Sequence, residues 1–144
     1  MIRILTLLAI CTMATPAFAD GHAAKGPAAE RQTLMSHVGA TTKIGAGIAK
    51  GQIPFDATMA EAVFRSLNSA ALGFGYMFPE GSETGAKTEA SPKIWSDRAG
   101  FDAQTAKFVA DTSALPKTLD EFKTAFGAAT ANCGTCHRAY RVKN

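Results

Sequence analysis

No stretch of the 144 residues approaches the ~20 apolar side chains that a membrane-spanning helix needs. The longest, Ile4 to Met13, has ten residues. Alternating apolar and polar runs of more than a few residues are also missing, which excludes a chain built mainly of half-buried strands. Charged residues make up only 19% of the chain and the net charge is +3, with no broad cluster of Lys and Arg, so nothing favours a nucleic acid partner. The one dense basic stretch, His137 to Lys143, suits the last turn of a helix, where cations complement the dipole. Cysteine is scarce as well, with three residues in all, too few for a disulfide framework.

What is present begins with a leader. Arg3 gives the start a positive charge, the apolar run follows, and Ala17-Phe18-Ala19 has the small-x-small pattern after which signal peptidase cuts. Residues 1–19 are therefore expected to be a cleaved signal peptide, and residues 20–144 a single domain in the periplasm. A lipid-modified Cys11 is disfavoured, because it follows Ile10 and sits inside the apolar run. Removing the leader takes away Arg3 and no acid, leaving 14 basic against 12 acidic residues, a net charge of +2 over 125 residues. It also takes away Cys11, so Cys133 and Cys136 remain in a compartment where an idle pair would oxidise.

Apolar spacing predicts four helices and an all-α chain. The first runs from about Lys25 to Lys50, with Ala28, Arg31, Leu34, Met35, Val38, Thr42, Gly45 and Ile48 on one face, and is closed by Gly51 and Pro54. The second opens at a Thr58-x-x-Glu61 capping box, turns Met59, Val63, Phe64, Leu67 and Ala71 inward, and fades at Gly73 and Gly75. Residues 78–91 are rich in turn formers and make the longest loop. Ser91-Pro92 starts the third helix, whose stripe is Ile94, Arg98, Phe101, Thr105, Phe108, Thr112 and Leu115, with Trp95 and Val109 widening it and Pro116 ending it. The fourth opens at a second capping box, Thr118-x-x-Glu121, and aligns Leu119, Phe122, Phe126, Ala129, Cys133, Cys136, His137 and Tyr140. Short connections between four amphipathic helices predict an antiparallel up-down-up-down bundle. Its inward faces are rich in Ala, Gly and Thr, particularly on the first and last helices, so side chains alone fill the middle poorly. Interiors do not tolerate voids; a large apolar group is expected there.

Cys133-Gly-Thr-Cys136-His137 names that group, because C-x-x-C-H is the attachment pattern of c-type haem. On a helix the three side chains leave one face within about one turn. Two thiols so placed can each form a thioether with a haem vinyl group, and the imidazole after the second Cys is held over the iron as proximal ligand. Gly134 and Thr135 are small enough for a macrocycle edge to lie close. A thioredoxin-like pair would need a strand before it and a helix beginning at the first Cys. A zinc site would need a fourth ligand from His22 or His37, neither at ligand spacing. A plain disulfide across C-x-x-C would close a tiny loop and stabilise little.

With these residues in view, the chain resembles the class II cytochromes c, meaning the cytochrome c′ family and its low-spin relatives. Their C-x-x-C-H motif lies near the C-terminus of a four-helix bundle; here seven residues follow His137. Further similar stretches, in the same order, are Arg31-Gln-Thr-Leu-Met35, Ala49-Lys-Gly-Gln-Ile-Pro-Phe-Asp56, Phe78-Pro-Glu-Gly-Ser82, Pro92-Lys-Ile-Trp95 and Cys133 to Arg141. The resemblance implies one covalent haem c and a monohaem cytochrome that is not an enzyme.

The sixth position at the iron separates an electron carrier from a gas binder. In the expected bundle the start of the first helix lies level with the end of the fourth, which brings Met35 within ~9 Å of His137 in height. Met59 opens the second helix at the other end. Met77 lies in an irregular Gly-rich segment, and His37, two residues after Met35, points to roughly the opposite side. In the low-spin relatives a Met in a stretch resembling Gln32 to Met35 binds the iron; in cytochrome c′ the same position blocks without ligating. Met35 as distal ligand is the preferred reading, with a five-coordinate iron binding nitric oxide or carbon monoxide as the alternative and a pliable core Met as the bland one. The resemblance also implies that Arg31 meets a haem propionate and that Arg141 flanks the haem near His137. The plain alternatives are a solvated Arg at a helix start and a cation at a helix end. Redox proteins are the expected partners, and some family members pair as homodimers through the first two helices.

Overall fold

The computed structural model describes residues 26–85 and 87–143. The expected signal peptide and His22 lie outside the described residues. Helix α1 spans Pro27–Ala49, α2 Ala57–Phe74, α3 Lys93–Ser96, α4 Arg98–Thr112 and α5 Leu119–Tyr140, with a 3-10 turn at Gly75–Met77. No strand occurs among the described residues; Ala90 and Arg141 form an isolated antiparallel bridge. Helix α1 packs against α2 and α5, and α4 against the same two. This is the expected four-helix bundle, with α3 and α4 together in the place of the third helix.

Local chemistry sets most of the boundaries. Pro27 at the first position starts α1, where its missing N–H costs nothing. Gly51, at φ 71°, turns the chain out of α1 so that Gln52 and Ile53 both donate to Gly47 O, at 2.9 and 3.1 Å. Thr118 and Glu121 form the expected capping box on α5. The box expected at Thr58 is not there. Asp56 caps α2 by accepting from Met59 N at 2.7 Å, while Glu61 pairs with Arg65 and Lys117. Met59, expected to turn inward, is 41% exposed in this first turn, where its amide serves the cap.

The third helix is broken where its apolar stripe runs on. Asp97, at φ −124° and ψ 52°, leaves helical geometry and accepts from Gly100 N as the cap of α4. Tyr140 Oη donates to the other Asp97 oxygen at 3.0 Å. Asp favours such caps over helix interiors, and periodicity alone did not register it. Ser91 lies just outside α3, with its Oγ accepting from Lys93 N. Two inward assignments on this stripe also fail. Arg98 is exposed and pairs with Asp102; Leu115 lies beyond the end of α4 and is 48% exposed.

The core is divided. One cluster, with Ile48, Val63, Phe64, Leu67, Phe122 and Phe126, closes the end where α1 finishes and α5 begins. Phe122 stacks on Phe126 at 5.3 Å and meets the edge of Phe64 at 5.8 Å. A second cluster of Phe78, Ile94, Phe101 and Tyr140 sits at the end where α5 finishes. Phe101 joins Phe78 and Tyr140 there by edge-to-face contacts at 4.8 and 5.3 Å. The small residues of α1 do different work at the two ends. A Cβ on Gly45 would lie 2.3 Å from the Phe126 ring, and one on Gly47 2.8 Å from Ile53. At the closed end small residues therefore allow close packing, and the deficit expected from them is confined to the other end.

Candidate functional site

That deficit is a cavity of about 590 Å³ lined by α1, α4, the last turns of α5 and the 78–91 loop. Arg31, Met35, Cys133, Cys136, His137 and Arg141 all line it. Of the residues weighed for the far side of an iron, Met35 lines the cavity, whereas Met59, Met77 and His37 do not. Met35 is half-buried and His37 exposed, as their two-residue offset on α1 requires. Met77 is occupied differently, its carbonyl accepting from Arg31.

Cys133 and Cys136 are half-buried thiols on one face of α5. Burial pushes both upward in pKa, and for Cys136 the neighbouring Cys133 adds to it. A thioredoxin-like nucleophile needs the opposite shift, and the pair sits in the last two turns of a helix instead of at its start. His137 is pushed below the usual imidazole range by burial first and Arg141 second, against an opposing pull from Glu89. The neutral imidazole so favoured is the form that binds a metal.

Arg31 is not the solvated cation of the plain alternative. It is 5% exposed. Its Nη1 donates to Met77 O and Ser82 Oγ, both at 3.0 Å, and its Nη2 to Ser82 O at 2.7 Å. The guanidinium lies 4.7 Å from the Phe78 ring centroid and 5.8 Å from that of Trp95. Its Nε is buried without a protein partner, a cost of roughly 1–3 kcal/mol unless something accepts from it. Arg141 is drawn to Glu89, which accepts from its Nε and pairs with its Nη2.

Sequence reading passed over several residues at the cavity. Asn132, 4% exposed, accepts from Gln104 Nε2 at 3.0 Å and donates to Asp111 Oδ2 at 2.7 Å, joining α5 to α4 behind Cys133. Its helical spacing from Ala129 and Cys136 placed it on the inward stripe, but a polar side chain broke the apolar pattern. Glu89 lies in the segment read as a loop, where no local periodicity marks it, and Phe78 stood out there only as the start of a stretch resembling the family.

A flat, largely apolar cofactor with one carboxylate-bearing edge fits this lining. The walls from Phe74, Phe78, Ile94, Phe101 and Phe108 are apolar, the volume is within the ~300–1,000 Å³ of ordinary cofactor pockets, and the unpartnered Arg31 Nε is a cationic donor lacking an acceptor. Among the described residues no group of three or more His, Cys, Asp or Glu side chains is arranged to hold a bare metal ion.

Comparison with known proteins agrees with this geometry. The family described as Cytochrome C' matches residues 27–141. Cytochrome c-556 of Agrobacterium fabrum is 37% identical over 124 residues, covering 83% of this chain and 84% of the relative. The solved cytochrome c′ from Rhodopseudomonas palustris superposes with a TM-score of 0.77 at 31% identity, over 82% of this chain and 97% of that one. A variant of cytochrome c prime from Alcaligenes xylosoxidans, solved as a nitric oxide complex, gives a TM-score of 0.73 at 30% identity over 83% of this chain and 98% of that one. The chain belongs to the cytochrome c′ family of monohaem cytochromes, and its cofactor is one covalently attached c-type haem.

Proposed function

We propose that the protein is an exported, periplasmic one-electron carrier in which His137 and Met35 would both hold the haem iron. The observation that carries this reading is the cavity lining. Of the candidate distal groups, only Met35 lies on it with the C-x-x-C-H side chains. When bound, the haem supplies an iron that alternates between ferric and ferrous states. Cys133 and Cys136 would hold the macrocycle to α5 through thioethers to its vinyl groups. His137 supplies a neutral imidazole nitrogen, and Met35 reaches in from α1 with a soft thioether. Arg31, fixed by Ser82 and Met77, holds a positive charge at the cavity wall where a propionate can accept from Nε. Phe78, Ile94 and Phe101 exclude water from one side. No bond to a substrate is made, and the partners are other redox proteins. Residues 1–19 serve as the signal peptide.

A second reading is favoured by the nitric oxide complex of the Alcaligenes xylosoxidans relative. On it His137 alone would hold the iron, Met35 would be an apolar wall, and the site would take a diatomic gas. The ferric absorption or electron paramagnetic resonance spectrum decides. A low-spin signature is expected, turning high-spin in Met35→Ala, whose ferrous form then takes up carbon monoxide. A high-spin wild-type protein, or a Met35→Ala spectrum identical to the parent, overturns Met35 ligation.

A further inference from the structure

The end of α5 is strapped to the loop that precedes α3. Arg141 is extended, at φ −120° and ψ 134°, so the helix stops at Tyr140 and the chain turns alongside residues 89–91. Ser91 N donates to Tyr140 O and Val142 N to Glu89 O, each at 2.9 Å, on either side of the Ala90–Arg141 bridge. Arg141 N also reaches back to His137 O at 3.2 Å. Across this short pairing the Arg141 guanidinium binds Glu89 Oε2 through both Nε and Nη2. Glu89, Arg141 and His137 line the same cavity. The backbone at Glu89 is thus held by the strap, and its carboxylate by the guanidinium.

We propose that Glu89 is a tuning residue of the haem site: fixed beside His137 by the strap and charge-paired with Arg141, it sets the field at the proximal ligand and through it the reduction potential of the iron. The proposal rests on His137 as iron ligand and is independent of what Met35 does. The sign follows from charge. The ferric site carries one positive charge more than the ferrous, so a nearby carboxylate stabilises the ferric form and a nearby guanidinium the ferrous form. Joined, the two nearly cancel; either alone does not. Glu89 is half-buried and Arg141 exposed at the cavity mouth, so the carboxylate's field is screened less than that of the guanidinium.

Midpoint potentials of the holoprotein test this. Glu89→Gln is expected to raise the potential and Arg141→Gln to lower it, each by an amount on the order of a threefold to tenfold change in the ferric-to-ferrous equilibrium, tenfold being about 59 mV for one electron. The double variant returns close to the parent, and Glu89→Asp, which keeps the charge, stays with the parent. Shifts of the same sign in the two single variants, no shift in either, or an Asp variant that behaves like Gln overturns the proposal. Should Glu89→Gln fail to yield holoprotein, Arg141→Gln against Arg141→Lys decides. A lowered potential for Gln alone supports the proposal, and equal potentials sink it. Failure of the His137 assignment shows separately, as a parent ferrous spectrum without nitrogen ligation.

Discussion

Arg31 concentrates more of the site's chemistry than any other residue outside the C-x-x-C-H motif. Burial lowers its pKa, against a raising influence from Glu83, yet a guanidinium stays charged under any physiological condition. A buried cation of this kind is tolerated because carbonyls, a hydroxyl and two aromatic faces surround it. Replacing it by Met keeps much of the volume and removes every donor, leaving Met77 O and Ser82 O without their partner. The expected loss is about 1.5–3 kcal/mol, measured by urea unfolding, with faster amide exchange across residues 77–82. If Nε serves a propionate, holoprotein loses more stability than apoprotein does; equal losses would confine Arg31 to holding the loop. Its place on the inward face was readable from spacing. Its partners were not, since Ser82 and Phe78 stand about fifty residues away in a segment without periodicity.

At the scale of elements, the join between α4 and α5 is polar. Asp111 is held below the usual carboxylate range by Lys107 first and Asn132 second, with burial opposing. A carboxylate depressed in the folded state contributes stability that is present above its unfolded pKa and lost as pH falls through the folded one. The stability gap between the parent and Asp111→Asn is therefore expected to be widest near neutrality and to close in acid. A gap that does not change between pH 7 and pH 3 contradicts the assignment. Glycines on the helices should separate just as clearly. Gly45→Ala drives a methyl group into Phe126 and should cost about 1–3 kcal/mol. At Gly127 nothing lies within 4 Å of an added Cβ, so Ala there should stabilise α5 by roughly 0.5–1 kcal/mol. Thermal melts of the two variants shifting in the same direction would contradict this packing. Helix number, order and inward faces were legible because burial of a stripe leaves a period of 3.6. The break at Asp97 and the cap at Asp56 were not, since both depend on one side chain choosing a backbone N–H over solvent.

For the whole molecule, the bundle and its cofactor are mutually dependent at one end. Changing both Cys133 and Cys136 to Ala should leave the haem extractable into acidified organic solvent and the melting temperature lowered, because the group filling about 590 Å³ is no longer tied down. Haem retained through that extraction contradicts the thioether assignment. The site was legible in proportion to how local it is. C-x-x-C-H fits within one helical turn, and Met35 followed from helix order, whereas Glu89, Gln104 and Asn132 belong to the cavity through tertiary packing. The division of the core into two clusters has a consequence for how this chain can change over time. Drift at Val63, Phe64 or Phe122 alters how much heat the protein withstands and leaves its colour alone. Drift at Phe78, Phe101 or Tyr140 acts on the wall of the cofactor's cavity and on the packing of that end at once. One end of the bundle can thus vary for heat resistance alone, while at the other a single set of side chains answers to two demands and is the slower to change.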